Sequence, residues 1–265
     1  MPNIVINGVD LYYETHGKSM PLMLVAGLAS DSQSWPTIMD DLSRHCLVIA
    51  PDNRGVGRTL PQNIEISIHK MADDCLALSR HLGLSSINLL GHSMGGFVAL
   101  DLAIRYPDFV NKLILAGTSS FSSRRNNSLL SNWASYMEKG MEPHLWFRNI
   151  FYWIFSSRFF EDEAAVNEAV RYAVEYPYPQ GTIAFRNQVK AIANFDCTQT
   201  LSRVAAKTMV ISGKEDLLFP PEAGARLAQS IRDAAFSVID NAAHAMHMEQ
   251  PHAFTDCVLE FLHQQ

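Results

Sequence analysis

The chain is predicted to fold as an α/β protein, with a mostly parallel central sheet, helices on both faces and a helical insertion. Three observations predict this. Short apolar runs alternate with amphipathic helical stretches in the first and last parts of the chain, the pattern of strands joined by crossover helices. Runs such as Pro21-Leu22-Met23-Leu24-Val25-Ala26 are continuously apolar, as suits strands buried on both faces of a parallel sheet. From about Thr118 to Thr200 the alternation gives way to helical patterns rich in large aromatics. The expected organisation is therefore a core domain of residues 1–117 and 201–265 interrupted by a helical insertion, or lid, of residues 118–200. Its place is over the carboxyl edge of the sheet, where open α/β sheets bind ligands.

The elements follow in order. Ile4-Val5-Ile6, Asn7-Gly8 and Val9–Tyr13 read as a hairpin, because Asn-Gly suits the two-residue turn that joins antiparallel strands. A strand over 21–26 stops at Gly27. A helix over Trp35–Arg44 has Ser34 as its expected cap and Pro36 in its first turn. Cys46–Ala50 is a buried strand, and Pro51–Pro61 a loop. Ser67–Leu82 is a helix ended by Gly83. A strand over Ile87–Leu90 and a helix over Gly96–Tyr106, stopped before Pro107, flank Ser93. Lys112–Ala116 is a strand. After the insertion come a strand (Thr208–Ser212), a helix (Pro221–Ile231), a strand (Ala235–Ile239) and a closing helix (His252–His263).

Composition sets the function classes. Hydrophobic residues are 48% of the 265, enough for a sizeable core. The net charge of −6, with no long basic run, argues against nucleic acid as a partner. Cys46, Cys75, Cys197 and Cys257 are widely spaced and form no CxxC pair; they are expected to be reduced, buried thiols of a cytoplasmic protein. No basic-then-apolar leader is evident at the N-terminus, and no apolar stretch of about 18 residues would span a membrane. No His/Cys/Asp cluster has metal-ligand spacing, so no metal is expected.

The chemistry centres on Gly91-His92-Ser93-Met94-Gly95-Gly96. Glycines two residues either side of a serine fit a sharp strand-to-helix turn, where larger side chains would collide and the serine is held at the apex. A serine hydroxyl is a weak nucleophile at neutral pH and needs a histidine to take its proton and an acid to orient that histidine. Asp216 lies in a loop after one predicted strand, within Gly213-Lys214-Glu215-Asp216-Leu217-Leu218-Phe219-Pro220. His244 lies in a loop after another, within the stretch that ends His244-Ala245-Met246-His247-Met248-Glu249-Gln250-Pro251.

Together with Asp52-x-Arg54-Gly55-x-Gly57, these motifs give the chain a resemblance, over nearly its whole length, to the α/β-hydrolase fold superfamily and its small lidded serine esterases. The resemblance implies Ser93 as nucleophile, Asp216 as acid and His244 as base, with the backbone N–H groups of Leu28 and Met94 as the oxyanion hole. It implies no cofactor. Such relatives usually carry His-Gly before the second oxyanion residue, where this chain has Ala26-Gly27; the donor is a backbone group, so the hole should survive, but its loop needs another anchor. Thr59 replaces a common serine.

Other residues compete. Asp196 and Asp240 are expected to cap or form ion pairs. His247 lacks the spacing of His244 to Glu249 and Pro251. His92 is expected to make structural hydrogen bonds, and Arg54 and Asp52 to brace their loop by an ion pair or backbone contacts. His16, His69 and His81 are expected at the surface. In the insertion, Trp146, Ile150 and Trp153 fall on one helical stripe and Phe147, Phe151 and Phe155 on another; either could line a substrate pocket.

A serine nucleophile excludes the dehalogenase branch, which uses aspartate. The expected activity is hydrolysis of a carboxylic ester of a small, largely apolar substrate through an acyl-enzyme. A thioesterase, an enol-lactonase, a C–C hydrolase and an acyl-carrier-protein methyl ester esterase remain alternatives within the fold. An acyl-carrier protein as partner would need a basic surface, for which Arg124, Arg125, Arg148 and Arg158 are the candidates. An alternative of another class is a ligand-sensing receptor of the same fold.

Overall fold

In the computed structural model, which describes residues 3–264, the chain alternates strands and helices around one sheet. The strands are β1 (Asn3–Ile6), β2 (Val9–His16), β3 (Met20–Val25), β4 (Cys46–Pro51), β5 (Ile87–His92), β6 (Val110–Ala116), β7 (Lys207–Gly213) and β8 (Ala235–Ile239). The helices of the sheet layers are α1 (Pro36–Ser43), α2 (Ile68–His81) and α3 (Met94–Arg105) before residue 118, and α8 (Pro221–Gln229), α9 (Met246–Glu249) and α10 (Pro251–His263) after residue 200. Residues 118–200 hold α4 (Arg124–Glu138), α5 (Pro143–Ile154), α6 (Glu163–Val174) and α7 (Thr182–Ala193).

The strands lie in the order β1-β2-β4-β3-β5-β6-β7-β8. β1–β2 and β2–β4 are antiparallel, and every other neighbour pair is parallel. The β1–β2 turn has φ of 46° at Asn7 and 80° at Gly8, the left-handed pair that a two-residue hairpin turn of matching twist requires.

Why the inner strands are apolar without alternation is visible in the packing. Successive side chains point to opposite faces, and both faces are covered. Met23, Val25, Leu89, Leu113 and Val210 join α2, α3 and α8 in one core. Leu22, Leu24, Leu90, Ile114 and Ile211 join α1 and α10 in the other. Each buried CH₂ contributes about 0.8 kcal/mol.

Several boundaries differ from expectation for local reasons. Ser34 does not cap α1. Asp31 caps a 3₁₀ turn over Ser32–Ser34, accepting the Gln33 amide, and that turn runs into α1 through Trp35. The helix after Ser93 starts at Met94, two residues earlier than its apolar periodicity shows, because the glycines at 95 and 96 carry no periodic signal. The short α9 after the His244 loop was not expected.

The loop after β4 is braced by charge. Arg54, fully buried, holds Asp74 of α2 through two hydrogen bonds of 2.7 Å. Asp52 instead takes Arg58 and the amides of Ser32 and Arg58. Both residues thus form ion pairs, but with these partners. Removing one member of a pair as buried as Arg54–Asp74 costs about 3–5 kcal/mol, because the other charge is left unpaired. The described cysteines form no disulfide. Among the described residues, no helix is long and apolar enough to cross a membrane.

Candidate active site

Four parallel strands end on one edge of the sheet, and each is followed by a loop that carries one of the expected site residues. The loop after β3 carries Leu28, that after β5 carries Ser93, that after β7 carries Asp216 and that after β8 carries His244.

Ser93 sits between β5 and α3 with φ 56° and ψ −119°, outside the regions a side-chain-bearing residue normally adopts. Its surroundings enforce this. A Cβ on Gly91 would run into the Gly95 carbonyl, and one on Gly95 into the Val25 carbonyl. The Ser93 amide donates to the Ala116 carbonyl at 2.9 Å, and the Thr118 hydroxyl donates to the Ser93 carbonyl at 2.9 Å. A turn held from both sides can keep a strained residue in place, and it presents the serine at the N-terminus of α3, where the helix dipole is positive.

Asp216 and His244 meet directly. His244 Nδ1 lies 2.8 Å from Asp216 Oδ2. Because the carboxylate only accepts, Nδ1 carries the hydrogen, which leaves Nε2 of the neutral ring with its lone pair free. Asp216 is itself fixed: its other oxygen accepts the amides of Leu218 and Phe219 at 2.8 and 2.9 Å. The Phe219 ring stacks on His244 with centroids 5.9 Å apart. Both Asp216 and His244 are buried, whereas Ser93 is half-buried.

His92, adjacent to Ser93, points behind the site. Its Nε2 donates to the His244 carbonyl at 2.8 Å, and its ring lies 4.8 Å from the His244 ring and 4.7 Å from His247. Burial, and the neighbouring rings of His247 and His244, hold its pKa well below the usual histidine range. Burial, and then His244, likewise push His247 down to about 3. Among the described residues, neither ring nitrogen of His247 has a hydrogen-bond partner, although the Ser34 backbone lies close enough to favour its charged form. Both rings are therefore neutral packing groups at ordinary pH, and His92 fixes the loop that carries His244.

The loop with Leu28 is anchored without a histidine at position 26. Asn53 donates to the Ala26 carbonyl at 3.0 Å. Gln188, a fully buried residue of α7, accepts the Ala29 amide at 3.2 Å and donates to the Arg54 carbonyl at 3.2 Å. Asp31 accepts the Tyr176 hydroxyl at 2.6 Å. On the other side, Glu249 ties residues 118–200 to the His244 loop, accepting the Ser156 amide and hydroxyl at 3.0 and 2.6 Å and the Ala243 amide at 2.7 Å. The Ala245 amide donates to the Ile154 carbonyl at 2.8 Å. Sequence reasoning did not find Gln188, Tyr176, Thr118 or Ser156, because a polar residue on a helix or loop carries no mark of a partner far along the chain.

A cavity of about 380 Å³ lies between the loop after β3 and the helical segment; Ser93, Asp216 and His244 are not among its lining residues. Ala29, beside Leu28, is in its wall, as are Trp146 and Phe147. Ile150, Trp153 and Phe151 are not among its lining residues; Phe151 packs with Val166 and Val170 of α6, and Ile150 lies against that cluster. A larger open groove, about 560 Å³, runs between residues 63–69 and α7 and touches none of Ser93, Asp216 or His244. The competing residues lie elsewhere: Asp240 pairs with Lys214, Asp196 caps Thr198, and His69 is exposed beside Asp101.

Among curated proteins, the chain is 29% identical over 262 residues to "Putative carbamate hydrolase RutD" of Rhizobium rhizogenes, covering 95% of this chain and 97% of that one. It is 26% identical to the 2-hydroxy-6-oxo-2,4-heptadienoate hydrolase of Pseudomonas putida, over 98% and 95% of the two chains. Among solved structures it is similar to the enol-lactonase from Burkholderia xenovorans LB400, with a TM-score of 0.89, 25% identity and coverage of 99% and 100%. A thermophilic esterase from Thermogutta terrifontis gives a TM-score of 0.88 at 28% identity, with coverage of 99% and 98%. The model of the alpha/beta hydrolase fold family matches residues 20–251. The chain belongs to the alpha/beta hydrolase fold family.

Proposed function

We propose that this hydrolase cleaves a carboxylic ester of a small, largely apolar substrate through an acyl-enzyme on Ser93. The observation that carries the reading is the hydrogen-bonded pair of Asp216 and His244 at 2.8 Å, joined through the His244 carbonyl to His92, the neighbour of Ser93 in its strained turn.

In this reading His244 Nε2 takes the Ser93 hydroxyl proton as the oxygen attacks the acyl carbon. Asp216 keeps the ring oriented and stabilises the imidazolium that forms. The developing oxyanion is met by the Met94 and Leu28 amides and the N-terminus of α3. Removing one such donor in comparable sites costs about 10²–10³ in rate. The intermediate collapses as His244 returns the proton to the leaving alcohol. Water, deprotonated by the same nitrogen, then releases the acid and restores Ser93. Residues 118–200 act as the lid, with Trp146 and Phe147 against the substrate.

A carbamate is the second reading, favoured because several curated relatives at 25–29% identity are called carbamate hydrolases. Its acyl carbon presents the same electrophile to the same machinery. The test is labelling by a fluorophosphonate probe followed by mass spectrometry, with turnover measured on matched aryl esters, thioesters, carbamates and lactones. The label is expected on Ser93 and the highest kcat/KM on an ester. A label elsewhere with Ser93→Ala still active rejects the serine mechanism, and a carbamate preferred over its ester selects the second reading.

A further inference from the structure

The wall of the 380 Å³ cavity is chemically lopsided. Met137, Met141, Trp146, Phe147 and Phe185 make much of it apolar. Among the described residues that line it, Asp31 is the only charged one, and no lysine, arginine or histidine takes part. Asp31 is buried. One of its oxygens accepts the Gln33 amide at 2.9 Å and the other the Tyr176 hydroxyl at 2.6 Å. Two such bonds leave lone pairs on both oxygens, since a carboxylate accepts about four. Burial, and then the hydrogen bond to Asp31, raise the Tyr176 pKa well above the ordinary phenol value, so that hydroxyl remains a donor.

The charges around Asp31 do not neutralise it. Burial, and then the nearby Asp52 charge, raise its pKa above the ordinary carboxylate value. Arg58 is the nearby cation, but its guanidinium is engaged elsewhere. It donates to Asp52 at 2.9 and 3.2 Å, to Glu14 at 3.1 Å and to the Ser32 hydroxyl at 2.7 Å. A single cation thus faces three carboxylates, and none of its hydrogen bonds is aimed at the cavity. A carboxylate brought into this space would lose its water, meet no cation and approach a like charge.

We propose that the cavity selects substrates by charge: it takes a neutral, largely apolar group, accepts a hydrogen-bond donor or an ammonium at Asp31, and rejects a carboxylate. This rests on the reading of Ser93 as the nucleophile of a hydrolase. It sets the chain apart from any relative whose substrate is itself a carboxylate, whatever the shared fold.

The experiment compares three p-nitrophenyl esters of equal length at pH 7.5: hexanoate, 6-aminohexanoate and the mono-ester of adipic acid. kcat/KM is expected to be at least about tenfold lower for the adipate than for the hexanoate, as like-charge juxtaposition demands, with the aminohexanoate equal to or above the hexanoate. Asp31→Asn is expected to raise the adipate-to-hexanoate ratio severalfold. An adipate turned over as fast as the hexanoate by the unaltered protein, or a ratio that a folded Asp31→Asn leaves unmoved, overturns the inference. Competition and thermal-shift measurements with hexylammonium, hexanol and hexanoate give the same ordering without turnover. If no ester is hydrolysed but hexanoate alone fails to bind, the ester reading falls and the charge selection stands. If esters are hydrolysed and the three hexyl compounds bind alike, the reverse holds.

Discussion

Gln188 of α7 accepts the backbone amide of Ala29 at 3.2 Å, across 159 residues of sequence. Ala29 has φ 58°, in the left-handed region, and directly follows Leu28. The same side chain accepts from Gln180 at 2.9 Å and donates to the Arg54 carbonyl. A residue of the proposed lid therefore holds the proposed oxyanion loop, at the place where relatives use a histidine beside the glycine. Gln188→Leu keeps the volume and removes the bonds. It is expected to lower kcat by about 10- to 100-fold, less than the loss of a donor itself, while KM changes little. A loss carried by KM, or no loss, would show that Gln188 only fills space.

Ser93, His244 and Asp216 are expected to act as one unit. Ser93→Ala and His244→Ala should each remove most of the rate, and the double variant should lose little more. Steady-state kinetics on an aryl ester checks this; losses that multiply would mean the two residues work independently.

Acid should weaken the fold through the buried histidines. His247 is held near 3 in the folded chain, against about 6.5 when exposed. Between these values the unfolded chain binds a proton that the folded chain does not, so stability is complete above about 6.5 and falls as pH drops. For His247 alone the loss is about 2 kcal/mol by pH 5. His92 acts in the same direction. Urea unfolding from pH 7 to pH 5 measures the slope, and His247→Phe is expected to flatten it. An unchanged slope in that variant would mean His247 is already charged when folded.

The cavity predicts a chain-length optimum. kcat/KM for p-nitrophenyl esters is expected to rise from acetate to a medium-length chain, as each buried CH₂ adds about 0.8 kcal/mol, and then to fall when the space is full. Phe147→Ala and Trp146→Ala should shift the optimum to longer chains, whereas Phe151→Ala, whose ring packs against α6, should leave it in place and lower the melting temperature. A shift caused by Phe151→Ala alone would place the substrate on the other side of α5.

Much of this protein is local information. The Asn7-Gly8 turn, the strands buried on both faces and the glycines around Ser93 are each set by residues within a few positions of one another. Sterics over such distances do not depend on the rest of the chain, so the eight-stranded sheet and the turn at Ser93 could be read from residue types and periods. The loops holding Asp216 and His244 were legible for the same reason, since each follows an apolar strand.

What only the tertiary structure decided is which surfaces meet. The periodicity of α5 shows two apolar stripes but not their neighbours, and the cavity takes Trp146 from one stripe and Phe147 from the other, while the carboxyl end of the helix is bonded through Ile154 to Ala245. Gln188 and Ala29, Tyr176 and Asp31, and Ser156 and Glu249 are each paired across 93 residues or more. A hydrogen bond of that kind has no period and leaves no trace in composition. It exists because folding brings two polar groups out of water to the same buried point, where each must find a partner, and that point is a property of the packed chain rather than of either segment.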